Sequence, residues 1–536
     1  MSHSITGGEA AVLSLHNLGV KTIFGLPGVQ NDWFYNALYD HSEKFNLIHT
    51  RHEQGAAYMG LGHALASDTP TVFSVVPGPG FLNAAAAMST AYALNAKLFC
   101  MTGQIPSRAI GKDFGELHEI NDQLAIIKTL TKWADRADSP AEIPGKIQEA
   151  FQQMMSGRPR PVGLEIPMDI LAATDVIDPN LQSIVPDAPQ VDEDAVEAAA
   201  KALGQAKSPM IFVGSGAQGA SALVRRLAEE LQAPVVGYRT GMGVVDGRSY
   251  LSLHLPAAKD VWMQADVVLT IGSNMRVPAQ KWIKAHQPEI IRIDVDPETH
   301  RKFYTPKVEV TARAEDALPL LLDRLDTHNI KRASRKDELE EVKAAWAKRS
   351  SVLEPQLSFL KVIREELGED GIFVDELTQV GFASRLTYPV YHPRTFISTG
   401  YQGTLGYGFP TGLGVKVARP DVPVISITGD GGFMFGVQDL ATAVQHKIPL
   451  ITLLFNNNSY GNVQQMQINN YGGRVIASDL HNPDFCKMVE SFGAQAIKAE
   501  TPEAVRAAIK QGIKTTDTPT VIEIPVGDMP SIDQFR

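Results

Sequence analysis

ISITGDGGFMFGVQDLATAVQHKIPLITLLFNNNSYG, residues Ile425 to Gly461, is the stretch on which the reading of this chain turns. The apolar run Val424 to Thr428 breaks into Gly429-Asp430-Gly431-Gly432. A helical pattern follows from about Gly436 to Gln445, and a second apolar run, Pro449 to Phe455, ends in Asn456-Asn457-Asn458. Two β-rich runs joined by a helical one predict a β-turn-α-β unit with parallel strands. Loops that follow neighbouring parallel strands emerge on one edge of the sheet, so Asp430 and Asn457 are expected to meet although they are far apart in sequence.

A carboxylate, an amide oxygen and a loop carbonyl such as that of Ser459 supply the few hard oxygen ligands that Mg²⁺ accepts while it keeps phosphate oxygens and water. Gly429, Gly431 and Gly432 let backbone N–H groups approach a phosphate at a helix start. The stretch therefore predicts a metal-bridged diphosphate. Gly-Asp-Gly alone is ordinary turn chemistry, and the asparagine loop after the next strand gives the pattern its weight.

Outward from this unit the chain alternates β-rich and helical runs almost throughout. Its 536 residues exceed one ordinary core and suggest three domains. The first, 1–175, carries the runs TIFGLPG, NLIHTRHE, TVFSVVPGPG, KLFCMTGQIP and PVGLEIP. An Asp-, Pro- and Gln-rich stretch from about Thr174 to Val191 reads as a linker. A second unit, 191–330, has strands near MIFVGSG, VVLTIGS and IIRIDVD. The charge-dense segment between Asp326 and Ser351 reads as a solvated connecting helix, and the third unit is 355–536. Alternation of this kind predicts an α/β chain of three doubly wound parallel-sheet domains. PTVIEIP at Pro519 repeats PVGLEIP at Pro161, each late in its domain, which hints that the first and third units share a fold.

In the first unit, Thr50-Arg51-His52-Glu53-Gln54-Gly55-Ala56-Ala57-Tyr58-Met59 puts Glu53 where a strand passes into a helix, a place where an acid favours the helix dipole. HEQGAAYM, taken with GDG and the NN loop, resembles the thiamine-diphosphate (ThDP) enzymes, and the likeness runs through the whole chain. It is greatest for the group containing acetolactate synthase, benzaldehyde lyase and benzoylformate decarboxylase. The resemblance implies a pyrimidine-binding, a central and a diphosphate-binding domain, with ThDP and Mg²⁺ as cofactors. Glu53 would hydrogen-bond the pyrimidine ring and activate the cofactor. Asp430, Asn457 and Ser459 would hold the metal, with Gly429, Gly431, Gly432, Tyr460 and Gly461 around the diphosphate. In STGYQGTLGYGFP, Leu405 matches the apolar residue beneath the bent cofactor and Gly403 the carbonyl that receives its amino group. Thr378 and Gln379 fit the loop over the diphosphate. The resemblance also implies a homodimer or homotetramer with active sites at subunit interfaces, Glu53 and Asp430 acting from different subunits.

Members of that group differ in the polar residues facing the substrate. In GLPGVQND, Val29 and Gln30 stand where others carry Asp, Ser or His, and Gln30 hydrogen-bonds but is no acid at neutral pH. GELHEINDQ puts His118 where a glutamine occurs in acetolactate synthase and benzaldehyde lyase. A histidine there is expected to shuttle protons, with Glu119 orienting or charging it. Val463, Gln464 and Met466, in YGNVQQMQ, are expected to line the substrate pocket, with a helical-core role for Met466 equally open. These positions lead to a 2-oxo-acid carboligase of acetolactate synthase type, with a 2-hydroxy-ketone lyase or 2-oxo-acid decarboxylase as the alternative. A catalytically silent ThDP-binding regulatory protein is the reading from another class, and the joint presence of Glu53, Asp430 and Asn457 argues against it.

Gly214-Ser215-Gly216-Ala217-Gln218-Gly219 follows a strand in the manner of a dinucleotide fingerprint. The acidic residue expected at the end of the next strand is missing: Gly237, Tyr238 and Arg239 stand there. Acetolactate synthase binds FAD in this domain, but LSLHLPAAKDVW (Leu251 to Trp262) lacks the glycine-rich loop that goes with it, and FAD is not expected. A net charge of −11 with no basic face speaks against nucleic acid. No secretory start or membrane-length apolar run is seen, and two cysteines far apart, Cys100 and Cys486, suit buried thiols in a reducing, cytoplasmic setting.

Overall fold

A computed structural model describes residues 3–181 and 184–535. Three six-stranded sheets account for nearly all its strands, every pairing within them parallel. Their strands are short, almost wholly buried runs of Val, Ile, Leu and Phe, as in Thr71–Val75, Val267–Ile271 and Ile451–Asn456. Such runs form sheets covered by helices on both faces.

In the N-terminal sheet the strands lie in the order Asn46–His49, Thr22–Gly25, Thr71–Val75, Leu98–Gln104, Val162–Pro167, Trp133–Arg136. The C-terminal sheet runs Phe396–Ile397, Ile372–Val374, Val424–Gly429, Ile451–Asn456, Thr520–Pro525, Gln495–Lys498. Both follow the order 2-1-3-4-6-5 in chain sequence. The repeated GLEIP and VIEIP strands occupy the same place in each, so the two-motif hint of a shared fold reappears in the topology. The central sheet differs, with order 3-2-1-4-5-6, that of dinucleotide-binding folds.

Two local expectations change. Gly429-Asp430-Gly431-Gly432 is not a loose turn before a helix at Gly436. Asp430–Phe433 is already one helical turn, followed by Val437–Asp439 and Leu440–Gln445, because Asp430 can open a helix at the strand end. The stretch after Thr174 is not all linker. Thr174–Ile177 pairs antiparallel with His3–Thr6 and ties the chain start to the end of its domain. The charge-dense segment is a helix over Lys336–Ser350, with the end of Ala314–His328 before it.

What brings the outer domains together is a pair of helices in equivalent positions, Glu53–Ser67 and Gly408–Ala418, each following the strand that is second in chain order and lies at one edge of its sheet. Both are buried nearly all round, and one continuous apolar core runs from Phe24 and Phe73 through Tyr58 to Tyr407, Phe409 and Leu413. Their backbones touch: a Cβ on Gly62 would come within 2.1 Å of the Thr411 carbonyl oxygen, and one on Gly414 within 1.9 Å of that of Met59. Gly414→Ala is therefore expected to destabilise the fold by about 1–3 kcal/mol, since the obstacle is backbone and cannot turn aside. Urea unfolding would read this, and an unchanged midpoint would contradict the close approach.

Candidate active site

Glu53 is the first residue of its helix, whose N-cap His52 accepts the Gln54 N–H at Nδ1, 3.1 Å. Its Oε2 accepts from Asn83 Nδ2 at 3.0 Å, and Oε1 faces Gly80, where a Cβ would stand 3.4 Å away. Gly80 and Gly28 both pack on Val76, with Cβ positions 2.6 and 2.5 Å from its methyl groups. Val76 thus joins the GLPG loop to the start of the helix Pro79–Leu94, on which both groups facing Glu53 stand.

Gln30 and His118 sit beside this group. Gln30 is buried, donates from Nε2 to the Leu117 carbonyl at 2.8 Å, and places Oε1 3.0 Å from His118 Nδ1. The His118 carbonyl packs on Gly78, whose φ of +58° and ψ of −117° favour glycine and where a Cβ would clash at 2.3 Å. Beneath them Gln123 accepts the Gly78 N–H and donates to Glu165, which pairs with Arg136 at 2.5 Å. Val29 is half exposed on the rim. The expectation that Glu119 orients His118 fails: its Oε2 accepts the Gly115 and Glu116 N–H groups at 2.7 and 2.9 Å and closes the loop on itself.

In the C-terminal domain Asp430 is buried and accepts from Asn482 Nδ2 at 2.7 Å, and the same nitrogen reaches Asn456 Oδ1 (3.1 Å) and Asn458 Oδ1 (3.2 Å). Burial lifts its carboxyl above the usual range, with the hydrogen bonds from Asn482 and nearby backbone opposing. The hydrogen bonds of Asp430 involve Asn482 and not Asn457, whose amide instead lies against Gly461. Ser459 is buried and bridges to Asp479, while the Tyr460 ring covers Gly431. Thr378 caps the helix Gln379–Thr387 and lies against Gly429, a Cβ there standing 3.6 Å from its methyl. Among the described residues Gln379 Oε1 is buried without a partner, Leu405 is half-buried, and Gly403 opens to free space at φ +65°.

This donor set fits a divalent cation. A buried carboxylate with no Lys or Arg partner among the described residues shares the Asn482 amide nitrogen with the side-chain oxygens of Asn456 and Asn458, and oxygen donors of this kind suit a hard cation.

Among the expected pocket residues, Gln464 donates to Asp479 Oδ1 at 2.8 Å, which engages its amide nitrogen. Val463 and Met466 are half exposed, and the helix Gly461–Asn470 buries none of its residues, so Met466 is not core.

Sequence reading did not single out Asn83, Asn482 or Glu376. Glu376 is fully buried. Its Oε1 accepts the Gly406 N–H at 2.7 Å and its Oε2 that of Gly408 at 3.1 Å, and a Cβ on Gly432 would meet Oε1 at 2.5 Å. One carboxyl thus ties the Leu405 loop to the Asp430 turn. Burial pushes it up to about 7, against the pull of Thr428 and those N–H groups. A carboxyl raised on folding stabilises the fold below its unfolded value near 4.5 and loses that contribution as pH rises toward 7. The unfolding free energy of the parent relative to Glu376→Gln should therefore fall by about 3 kcal/mol between pH 4.5 and 7.5. Urea unfolding across that range reads it, and a flat difference refutes it.

In the central domain the Gly214–Gly219 loop borders a cavity of about 620 Å³, lined also by Asn95, Arg158, Asp294 and Tyr401. Arg239 stacks 4.4 Å from the Tyr401 ring.

Two clusters lie at the carboxyl edges of like sheets, one built on Glu53 and one on a buried Asp430. Residues 5–126, 196–321 and 377–524 match the N-terminal TPP binding, central and C-terminal TPP binding domains of the thiamine pyrophosphate enzymes. The chain is 32% identical to "Probable 2-ketoarginine decarboxylase AruI" of Pseudomonas aeruginosa, over 97% of this chain and 94% of that one. It is 32% identical to a "Probable acetolactate synthase large subunit" of Methanocaldococcus jannaschii (97% and 92% covered) and 30% to the acetolactate synthase large subunit of Haemophilus influenzae (98% and 95%). The chain belongs to the thiamine pyrophosphate enzyme family and is a ThDP-dependent enzyme. Among the described residues no helix is long and apolar enough to cross a membrane.

Proposed function

We propose that the protein is a Mg²⁺- and ThDP-dependent carboligase of acetolactate synthase type that takes a 2-oxo acid as donor. Bound ThDP supplies the nucleophilic carbon and the electron sink for breaking and making a C–C bond next to a carbonyl. Glu53 holds the pyrimidine ring. Asp430, Asn457 and the Ser459 carbonyl bind the metal, Gly429, Gly431, Gly432, Thr378, Gln379, Tyr460 and Gly461 surround the diphosphate, and Gly403 and Leu405 position the ring system. Val29, Gln30, His118, Val463, Gln464 and Met466 border the substrate.

The observation that carries the carboligase reading is the fate of the carboxyl next to His118. Releasing an aldehyde requires a proton at the reacting carbon, whereas joining two carbonyl compounds requires none there. Glu119 is bound to two backbone N–H groups and Gln30 is an amide, so neither is a ready acid.

A second reading, a decarboxylase or 2-hydroxy-ketone lyase, is favoured by His118 itself, an imidazole at this position. Product analysis by NMR after incubation with ThDP, Mg²⁺ and pyruvate, alone and with added aldehydes, separates the two. Acetolactate or a mixed acyloin supports carboligation, and free aldehyde supports the second reading.

We further assign the chain to the cytoplasm as a homodimer or homotetramer whose sites lie between subunits, without nucleic-acid or membrane partners and without FAD. The oligomer is supported by Glu53, whose side-chain hydrogen bond stays within its own domain, and by exposed Leu82, Met434 and Phe435 close in sequence to the two clusters. Mass measurement in solution tests it, and a monomer with full turnover contradicts it.

A further inference from the structure

We propose that Gln30 fixes the His118 imidazole in its Nδ1–H form, leaving Nε2 as the atom that exchanges a proton with substrate. This rests on the placement of His118 in the active site. The Leu117 carbonyl can only accept, so the Gln30 amide atom 2.8 Å from it is the NH₂ group. The other amide atom is then a carbonyl oxygen, 3.0 Å from His118 Nδ1. An amide oxygen accepts and never donates, so Nδ1 must carry the hydrogen.

The amide is not free to turn over. Gln30 is only 2% exposed, and its backbone is wedged against Gly103, where a Cβ would come within 2.6 Å of the Gln30 carbonyl oxygen. Turning the amide would also set its oxygen against the Leu117 carbonyl. The His118 backbone is held on its other side by Gly78 and stands at φ +69°. Among the described residues Nε2 has no protein hydrogen-bond partner, and Gly78 lies two residues from the Gly80 that faces Glu53.

The consequence is a proton carrier that works at one atom. When the new C–C bond forms, the acceptor carbonyl oxygen becomes an alkoxide, and the imidazolium gives its Nε2 proton to that oxygen. The neutral ring then holds a lone pair on Nε2 and takes its next proton from solvent, so each turnover passes one proton to the new hydroxyl. Gln30 Oε1 accepts the Nδ1–H in both charge states, so the ring need not rotate between the two steps. Gln30 is then a positioning residue and His118 the group that meets substrate.

The test is the tautomer itself, read in the assembled enzyme with ThDP and Mg²⁺ by two-bond ¹⁵N–¹H correlation on histidine-labelled protein, with the His118 ring assigned by its absence from His118→Asn. The expected result is an Nδ1–H pattern for His118 in the parent and in Gln30→Glu, and a shift toward Nε2–H in Gln30→Leu. Turnover of Gln30→Leu should fall about 10-fold and that of His118→Asn about 100-fold, with ThDP affinity unchanged in both. An Nε2–H ring in the parent, or an Nδ1–H ring that survives Gln30→Leu, overturns the proposal. Full turnover in His118→Asn overturns the placement of His118 in the chemistry, and the spectrum distinguishes that failure from a failure of the Gln30 anchor.

Discussion

Glu53→Gln is expected to lower turnover about 1000-fold while ThDP and Mg²⁺ still bind, a loss within the range for removing a positioned proton-transfer group. The glutamine keeps the length and one oxygen of the side chain, so the Asn83 contact at 3.0 Å and the packing over Gly80 and Val76 can persist. What disappears is the carboxylate that can share a proton with the pyrimidine ring. Steady-state kinetics together with a calorimetric ThDP titration read the two effects separately. A variant that turns over at the parent's rate would remove Glu53 from the chemistry. A parent as inactive as the variant on every oxo acid tried would return the silent ThDP-binding reading. Asn83→Ala should be milder, since it removes one hydrogen bond to Glu53 and leaves the acid in place.

Much of this architecture was legible from local pattern because strand-and-turn periodicity and loop glycines act over short spans. Buried runs such as Ile451–Asn456 announce a covered parallel sheet, and GDG and the asparagine loop both fall at the carboxyl ends of its strands. Contacts across the fold were not legible. Asn482 reaches Asp430 from a segment without helix or strand, and nothing in the string HNPDF distinguishes it from turn chemistry. Glu376 adjoins the Thr378 loop in sequence, yet its role depends on Gly406 and Gly408 reaching it from another strand end. A buried acid beside a Thr-Gln helix start was the only signal available, and sequence cannot report burial of one side chain. Glu119 shows the opposite error, for its place next to His118 suggested partnership while two backbone N–H groups three and four residues earlier had the stronger claim.

The second large effect belongs to Asp430. Asp430→Ala is expected to weaken Mg²⁺-supported ThDP binding by about 100-fold or more, because loss of a direct ligand should reach at least the upper end of what loss of an outer-shell partner costs. The carboxylate has no basic partner among the described residues and is buried, an arrangement that a cation relieves. Asn482→Ala keeps the charge and removes the hydrogen bond that orients it, so about a 10-fold loss is expected. ThDP titrations with Mg²⁺ and with a chelator distinguish the roles. In the parent the chelator should abolish most of the affinity, in Asn482→Ala part of it, and in Asp430→Ala it should change nothing, since the cation no longer contributes. Undiminished Mg²⁺-dependent binding in Asp430→Ala would move the metal away from this turn. Asn457 and the Ser459 carbonyl would lose their assigned role with it, since Asp430 is the only charged side chain assigned to the metal.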